Sequence, residues 1–306
     1  MKNKKMTRIL ILSFTIICFC GTLTAQQLPH ITQYTSNNYA VNPAVSGMYD
    51  YYQVNTTIRN QWVGINEAPR TSVISIYGKH TNNVSLGGTV FNDVAGPTSR
   101  SGVAASYTYS FLVTSKIKLS LALQGGFTQW KVIKNAANIQ DQEDEFFNNG
   151  DVVRVLPDAT FGLNVSGDKW YIGVAMPQLL SSELRLMDDD MTNYYDGSLN
   201  GKLATHIYML GAYNFDITSI VSCEPSILFK SIAGATNVDF GVKFGYKELF
   251  WTGINSKQNN DLSALAALIG FNLNDRYSLG YSFGISNSEA GTQSHEFMLG
   301  LRLPSR

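Results

Sequence analysis

Two alternating runs, residues 101–111 and 116–130, joined across a short break, set the limits on what this chain can fold into. In the first, Val103, Ala105, Tyr107, Tyr109 and Phe111 share one parity, while Ala104, Ser106, Thr108 and Ser110 take the other. In the second, Ile117, Leu119, Leu121, Leu123 and Phe127 alternate with Lys118, Ser120, Ala122, Gln124 and Thr128. Successive side chains of a strand point to opposite faces, so each run carries one apolar face and one small or polar face. Two such runs with a tight connection read as a β-hairpin. A soluble strand averages about 5–6 residues, whereas a tilted strand crossing a bilayer needs about 9–11. Both runs belong to the longer kind.

The same alternation continues through most of the chain. About fourteen strand-like runs follow one another between residues 51 and 303, an even number as single-chain bacterial barrels require. The plainest are Val238, Phe240, Val242 and Phe244 against Asp239, Gly241, Lys243 and Gly245, and Leu279, Tyr281, Phe283 and Ile285 against Ser278, Gly280, Ser282 and Gly284. Short links follow the even-numbered runs. Longer ones follow the odd-numbered runs, among them residues 63–70, 93–100, 132–157 and 177–202. Short turns on one rim and long loops on the other are the asymmetry of outer-membrane barrels. The four tryptophans, Trp62, Trp130, Trp170 and Trp251, fall near strand ends, where indoles suit a membrane interface. A secreted sandwich would have shorter strands and more charge, and a propeller would show a repeating blade signature. The expected fold is an all-β transmembrane antiparallel barrel of the outer-membrane type.

The N-terminus agrees with export. A basic head (Lys2, Lys4, Lys5, Arg8), an apolar stretch over residues 9–19 and Ala25 before a polar run describe a secretory signal peptide spanning residues 1–25. Cys18 and Cys20 follow bulky Ile17 and Phe19, which speaks against a lipoprotein site. Cleavage after Ala25 would take four of the 23 basic residues and none of the 23 acidic ones, leaving the mature chain net acidic and ill suited to nucleic acid. Only Cys223 would remain, so no internal disulfide could form. Charged residues are 15% of the chain and aromatics 12%, a balance that suits a lipid-facing wall.

The residue pattern offers little for catalysis. His30, His80, His206 and His295 show no metal-ligand spacing, and no nucleophile elbow occurs. His206 has inward parity and reads as a hydrogen-bonded lumenal residue. The pairs Gly241/Gly245 and Gly280/Gly284 lie on the inward face. The acidic runs at residues 141–145 and 188–190 lack the Gly and terminal Glu of a hand-type calcium loop and read as solvated loops. No cofactor or metal is expected.

The punctuation between the strands carries a resemblance. Gln33-Tyr34 and Asn42-Pro43-Ala44-Val45-Ser46-Gly47 are followed by Arg59-Asn60-Gln61-Trp62-Val63-Gly64 and Ala68-Pro69-Arg70-Thr71. Asn92-Asp93-Val94-Ala95-Gly96-Pro97 comes next, then Pro157-Asp158 ahead of Phe161-Gly162, and Met176-Pro177-Gln178-Leu179-Leu180. Ser294-His295-Glu296-Phe297-Met298-Leu299-Gly300 closes the series. In order and spacing these resemble the PorP/SprF family of outer-membrane proteins of Bacteroidota. The resemblance implies a non-enzymatic component of the type IX secretion system, supporting export or surface attachment of cargo with C-terminal sorting domains and, in some species, gliding motility. It implies lipid, other secretion components and a secreted adhesin as partners, and structural or partner-binding roles for the motif residues. A diffusion porin or hydrophobic-solute transporter is the alternative, since fold does not fix function.

Three expectations complete the reading. Residues 51–306 form the barrel, with the N-terminus periplasmic and the long loops extracellular. Leu119, Leu121, Leu123, Leu279, Tyr281 and Phe283 face lipid, so that arginine at Leu121 costs about 2–4 kcal/mol and arginine at Ser120 costs little. Residues 26–50 form an irregular lead-in too apolar for a solvated tail. It serves as a plug folded into or across the periplasmic mouth, anchored by the turn at Asn42, Pro43 and Ala44, or as a docking segment.

Overall fold

The computed structural model describes residues 30–133, 151–184, 201–232, 235–259, 263–287 and 292–303. The leader expected over residues 1–25 and the acidic runs at 141–145 and 188–190 lie outside them. Fourteen antiparallel strands close on themselves. They are β1 (Tyr52–Asn60), β2 (Arg70–Lys79), β3 (Val84–Ala95), β4 (Thr98–Leu112), β5 (Lys118–Val132), β6 (Val152–Ser166) and β7 (Trp170–Met176). The second half comprises β8 (His206–Tyr213, prolonged beyond Asn214 by Phe215–Thr218), β9 (Val221–Ile232), β10 (Ala235–Tyr246), β11 (Phe250–Asn259), β12 (Ser263–Asn272), β13 (Tyr277–Ser286) and β14 (Gln293–Leu303). Each strand pairs with the next, and β1 pairs with β14 to close the wall. Closure removes the sheet edges, and with them the unpaired backbone groups that lipid could not satisfy. No helix among the described residues is long and apolar enough to cross a membrane.

The side chains are arranged inside out. Leu121, Leu123, Phe127, Val103, Tyr107 and Tyr109 stand exposed on the outer face of β4 and β5, while Ser106, Thr108, Ser110 and Ser120 are buried on the inner face. Among the described residues, more polar than apolar side chains are buried. Leu119, Leu279, Tyr281 and Phe283 also turn outward, Tyr281 packing on Phe297 with ring centroids 5.0 Å apart. The long connections both leave odd-numbered strands, β5 and β7, and so emerge from one rim, called here the loop end. Residues 80–83, 113–117, 167–169 and 273–276 form the opposite turn end.

Some expected boundaries move. Residues 93–100 are not a loop: β3 and β4 run on to a two-residue turn at Gly96-Pro97, where Gly96 takes a φ of 56°. β6 starts at Val152 rather than 158, with Pro157 inside it paired to Phe127. Proline is tolerated because β6 has outrun β7, whose ladder begins only at Phe161↔Met176, so a strand lies on one side alone. Nor do all four tryptophans mark the interface. Trp130 lies inside under the Arg100 guanidinium, 4.9 Å away, and Trp251 is buried in the lumen against Gly270 and Gly280. Both have inward parity on their strands, and parity outweighs the preference of indole for the interface.

Candidate functional site

The lumen is occupied by the chain's own residues 30–49. Ile31 to Tyr34, Asn37 to Tyr39 and Val41 to Gly47 are buried there, in a coil with two short 3-10 turns, Asn38–Ala40 and Pro43–Met48. The segment is not confined to one mouth. It begins in the loop half, crosses the lumen obliquely and leaves at the turn end into β1.

At its start, Glu296 of β14 accepts the Thr32 and Gln33 backbone N–H groups at 2.7 and 2.8 Å. The same carboxylate pairs with Arg59 of β1 at 3.2 Å, and Arg59 also donates to the Thr32 hydroxyl. Glu296 is fully buried. Hydrogen bonds to a charged acceptor are worth about 1.5–3 kcal/mol each, so this carboxylate is the strongest single hold on the segment. His30 lies 3.6 Å from Asp239 of β10 and 3.1 Å from Lys230 of β9. Burial, followed by the positive charge of Lys230, Lys257 and Arg59, holds the His30 imidazole well below its usual 6.5 and therefore neutral.

Farther along, the contacts become neutral. The Tyr34 hydroxyl meets Ser226 at 2.9 Å, and Asn37 donates to Thr57 at 3.1 Å. Tyr39 stacks on Tyr77 with centroids 4.3 Å apart and hydrogen-bonds Ser106 at 2.7 Å. Burial pushes the Tyr39 phenol up to about 12. Asn42 accepts from the Ala44 N–H at 3.0 Å, capping the second turn, and donates to the Leu163 carbonyl at 2.9 Å. The Ser46 hydroxyl donates to the Pro43 carbonyl and meets the Thr108 hydroxyl, both at 2.8 Å. Gly47 presses so closely on Ser110 and Ser120 that a Cβ there would collide with both. The small inward residues of β4 and β5 are thus the imprint of the segment. The expectation that arginine is harmless at Ser120 fails for the same reason, because that position faces packed chain and not open water.

The motif residues fall into three groups, with two residues outside them. Asn42, Pro43 and Ala44 anchor the segment. Arg59, Thr71, Asp93 and Glu296 form one row around the inner wall, in register as Glu296↔Arg59, Arg59↔Thr71 and Thr71↔Asp93. Thr71 donates to Asp93 at 2.6 Å, and the row continues to Arg100, which pairs with Asp93 at 2.7 Å. A third set ties down the loop end. The Gln61 N–H donates to the Pro69 carbonyl at 2.9 Å, Gly96 to the Glu67 carbonyl at 3.0 Å, and Ile133 to the Pro97 carbonyl at 2.7 Å. The Pro157 carbonyl accepts from Ser182, and the Pro177 carbonyl from the His206 N–H. Trp62 belongs here as an exposed loop residue with a φ of 52°, and Asp158 lines a cavity beside Pro177. Asn92 and His295 join none of these: Asn92 accepts from Ser101 at 2.8 Å, and His295 turns outward to Tyr281 at 2.7 Å.

The segment leaves two main hollows in the lumen. One, about 140 Å³, lies between residues 31–43 and β2–β9, lined by Tyr39, Phe91, Arg100, Asp158, Tyr208 and Lys230 among others. The other, about 610 Å³, is a polar vestibule at the turn end bounded inwardly by Thr35, Ser36 and Tyr49.

A family model described as the type IX secretion system membrane protein PorP/SprF matches residues 23–301. The chain belongs to the PorP/SprF family. No curated protein sequence matches it. In fold, this PorP/SprF chain is similar to the outer membrane protein Omp33 of Acinetobacter baumannii (TM-score 0.50, 8% identity, 84% of this chain and 100% of that one). It is also similar to the toluene transporter TbuX of Ralstonia pickettii (0.51, 8%, 86% and 92%) and to a TodX mutant monoaromatic hydrocarbon channel (0.50, 10%, 88% and 94%). At such identities the likeness concerns the barrel alone. As a PorP/SprF protein the chain is a membrane component of type IX secretion, built on an outer-membrane barrel.

Several residues of the PorP/SprF lumen escape a reading by motif. Tyr77, Lys230, Asp239 and Asn255 contact the segment but stand in no conspicuous cluster. Their signal is parity: each is a large polar or charged side chain at an inward position of its strand. His206 has inward parity too and sits buried, its Nδ1 donating to the Ala204 carbonyl at 2.8 Å.

Proposed function

We propose that this protein is a non-enzymatic outer-membrane component of type IX secretion that supports export or surface attachment of sorting-domain cargo, gliding adhesins among them. Its N-terminus would be periplasmic, its long loops extracellular, and its partners the surrounding lipid, the other secretion components and a cognate cargo. The observation that carries this reading is the filled lumen. A diffusion porin needs a water-filled passage, whereas here some twenty residues of the chain's own N-terminal region are fixed to the inner wall by contacts reaching β1, β2, β4, β6, β9, β10, β11 and β14. A wall braced from within suits a rigid part of a larger machine better than a conduit, and the segment then acts as a plug. A strain lacking the gene tests this. Loss of secretion or surface display of a sorting-domain cargo, restored by the intact gene, is the expected result. Normal export together with a defect in uptake of a small solute would transfer the assignment to a porin.

A further inference from the structure

Next to the first residues of the plug, at the loop end, lies a separate hollow of about 90 Å³. His30, Arg59, Gln61, Asn255, Lys257 and Ser294 supply its polar lining, and Trp62 closes one side. No Asp or Glu lines it among the described residues. The two nearest carboxylates stand outside its lining. Glu296 takes two backbone N–H groups and one Arg59 nitrogen. Asp239 lies 3.6 Å from His30 and 3.5 Å from Lys230 with no hydrogen bond to either of its oxygens, and it stands opposite Lys257 in the ladder. Three basic side chains, Arg59, Lys230 and Lys257, therefore face two carboxylates.

The surplus is localised. Lys257 forms no ion pair of its own among the described residues. The Arg59 Nε is buried without a hydrogen-bond partner, on a residue only 8% exposed. A buried charged donor left unpaired costs more than the about 1–3 kcal/mol of a neutral one, and buried charges are otherwise paired. Arginine in particular presents a fork that matches carboxylate or phosphate oxygens. A hollow with two basic side chains, two amide side chains and the hydroxyls of Thr32, Ser286 and Ser294 has the donor set of an anion site.

We propose that this pocket binds an oxyanion, a carboxylate or a phosphate group, with Lys257 and Arg59 as its principal ligands. Because His30 and Thr32 of the plug share the wall, the bound anion also holds the start of the plug. The site does not depend on the secretion role, so the two can fail separately. Calorimetry on the purified full-length protein in detergent, titrated in separate arms with sodium phosphate and sodium acetate at constant ionic strength, tests it. The expected result is saturable binding in at least one arm, accompanied by a change in Trp62 emission that is lost in Trp62→Phe. The arm that saturates identifies the oxyanion. Affinity should fall at least tenfold in Lys257→Met, and also in Ala264→Leu, which narrows the pocket without removing charge. Lys116→Met, in an exposed turn at the opposite rim, should match the parent. Absence of saturable binding in both arms, or parental affinity in Lys257→Met and Ala264→Leu, overturns the proposal.

Discussion

At the loop end the N-terminal segment is held by charged wall groups, Thr32 and Gln33 meeting Glu296 and Arg59 while neutral His30 lies beside Asp239. At the turn end, residues 39–47 are held by a tyrosine stack, asparagine and serine hydrogen bonds and a glycine pressed on two serines. The first grip depends on a few expensive groups, so it can be lost by one substitution or by protonation. The second is spread over many weak contacts and is set by shape, so single deletions cost little and insertions cost much. One segment thus combines a switchable end with a permanent one.

The sharpest way to break the contrast is Glu296→Ala. Removing one partner of a buried charge pair costs about 3–5 kcal/mol, and here it also strands two backbone donors. Denaturant melts should show a loss in that range, and single-channel conductance should rise as the plug loosens. Deleting residues 26–45 should raise conductance further. Unchanged conductance after that deletion would leave the segment no plugging role and would favour partner docking.

The turn end should respond to bulk instead. Leu121→Arg, on the outer face, should cost about 2–4 kcal/mol for a charge in lipid, and Ser120→Arg should cost at least as much by displacing Gly47. Folding yield in lipid vesicles measures both. A harmless Ser120→Arg would mean that the lumen there is open. Tyr39→Phe keeps the stack on Tyr77 and loses one hydrogen bond, so a drop of only about 1 kcal/mol is expected in the same assay.

The smallest effect is a pH dependence confined to the charged end. The groups facing His30 are Asp239, Lys230, Lys257 and Arg59. Its folded-state value lies below the ordinary 6.5, so the unfolded chain takes up its proton first. The stability linked to neutral His30 is therefore complete above about 6.5 and is lost as pH falls toward the lower folded value. Protease cleavage near residue 30 should become faster over that interval, and the increase should vanish in His30→Gln. An equal increase in His30→Gln would assign the acid response to another group.

The barrel was legible in the sequence because its physics is periodic. Leu119, Leu121 and Leu123 against Ser120 and Ala122 give each strand a face, and the alternation of link lengths gives strand direction. Where periodicity stops carrying the information, the reading failed. Asp93, Gly96-Pro97 and Arg100 look like loop because the wall beyond the apolar band is polar on both faces, yet Thr71, Asp93 and Arg100 are hydrogen-bonded across three strands. Pro157 looked like a strand boundary because its tolerance depends on β7 ending early, which is a property of the neighbour. The lead-in could be recognised as burying Tyr34, Tyr39 and Val45 but not routed, since its path is set by partners as distant in sequence as Glu296. Its positions opposite Ser110 and Ser120 were written in the small residues of the wall.

The separation between Thr32 and Glu296 has a consequence for assembly. They are 264 residues apart, so their contact is among the most non-local the chain makes, and such contacts form late because loop closure must precede them. Glu296 belongs to the last strand synthesised, and that strand completes the barrel by pairing with β1. Thr32 and Gln33 therefore lack their Glu296 contacts until the seam has zipped. A chain stalled before its final hairpin would keep Thr32 and Gln33 without their carboxylate, and their capture marks the closing of the barrel.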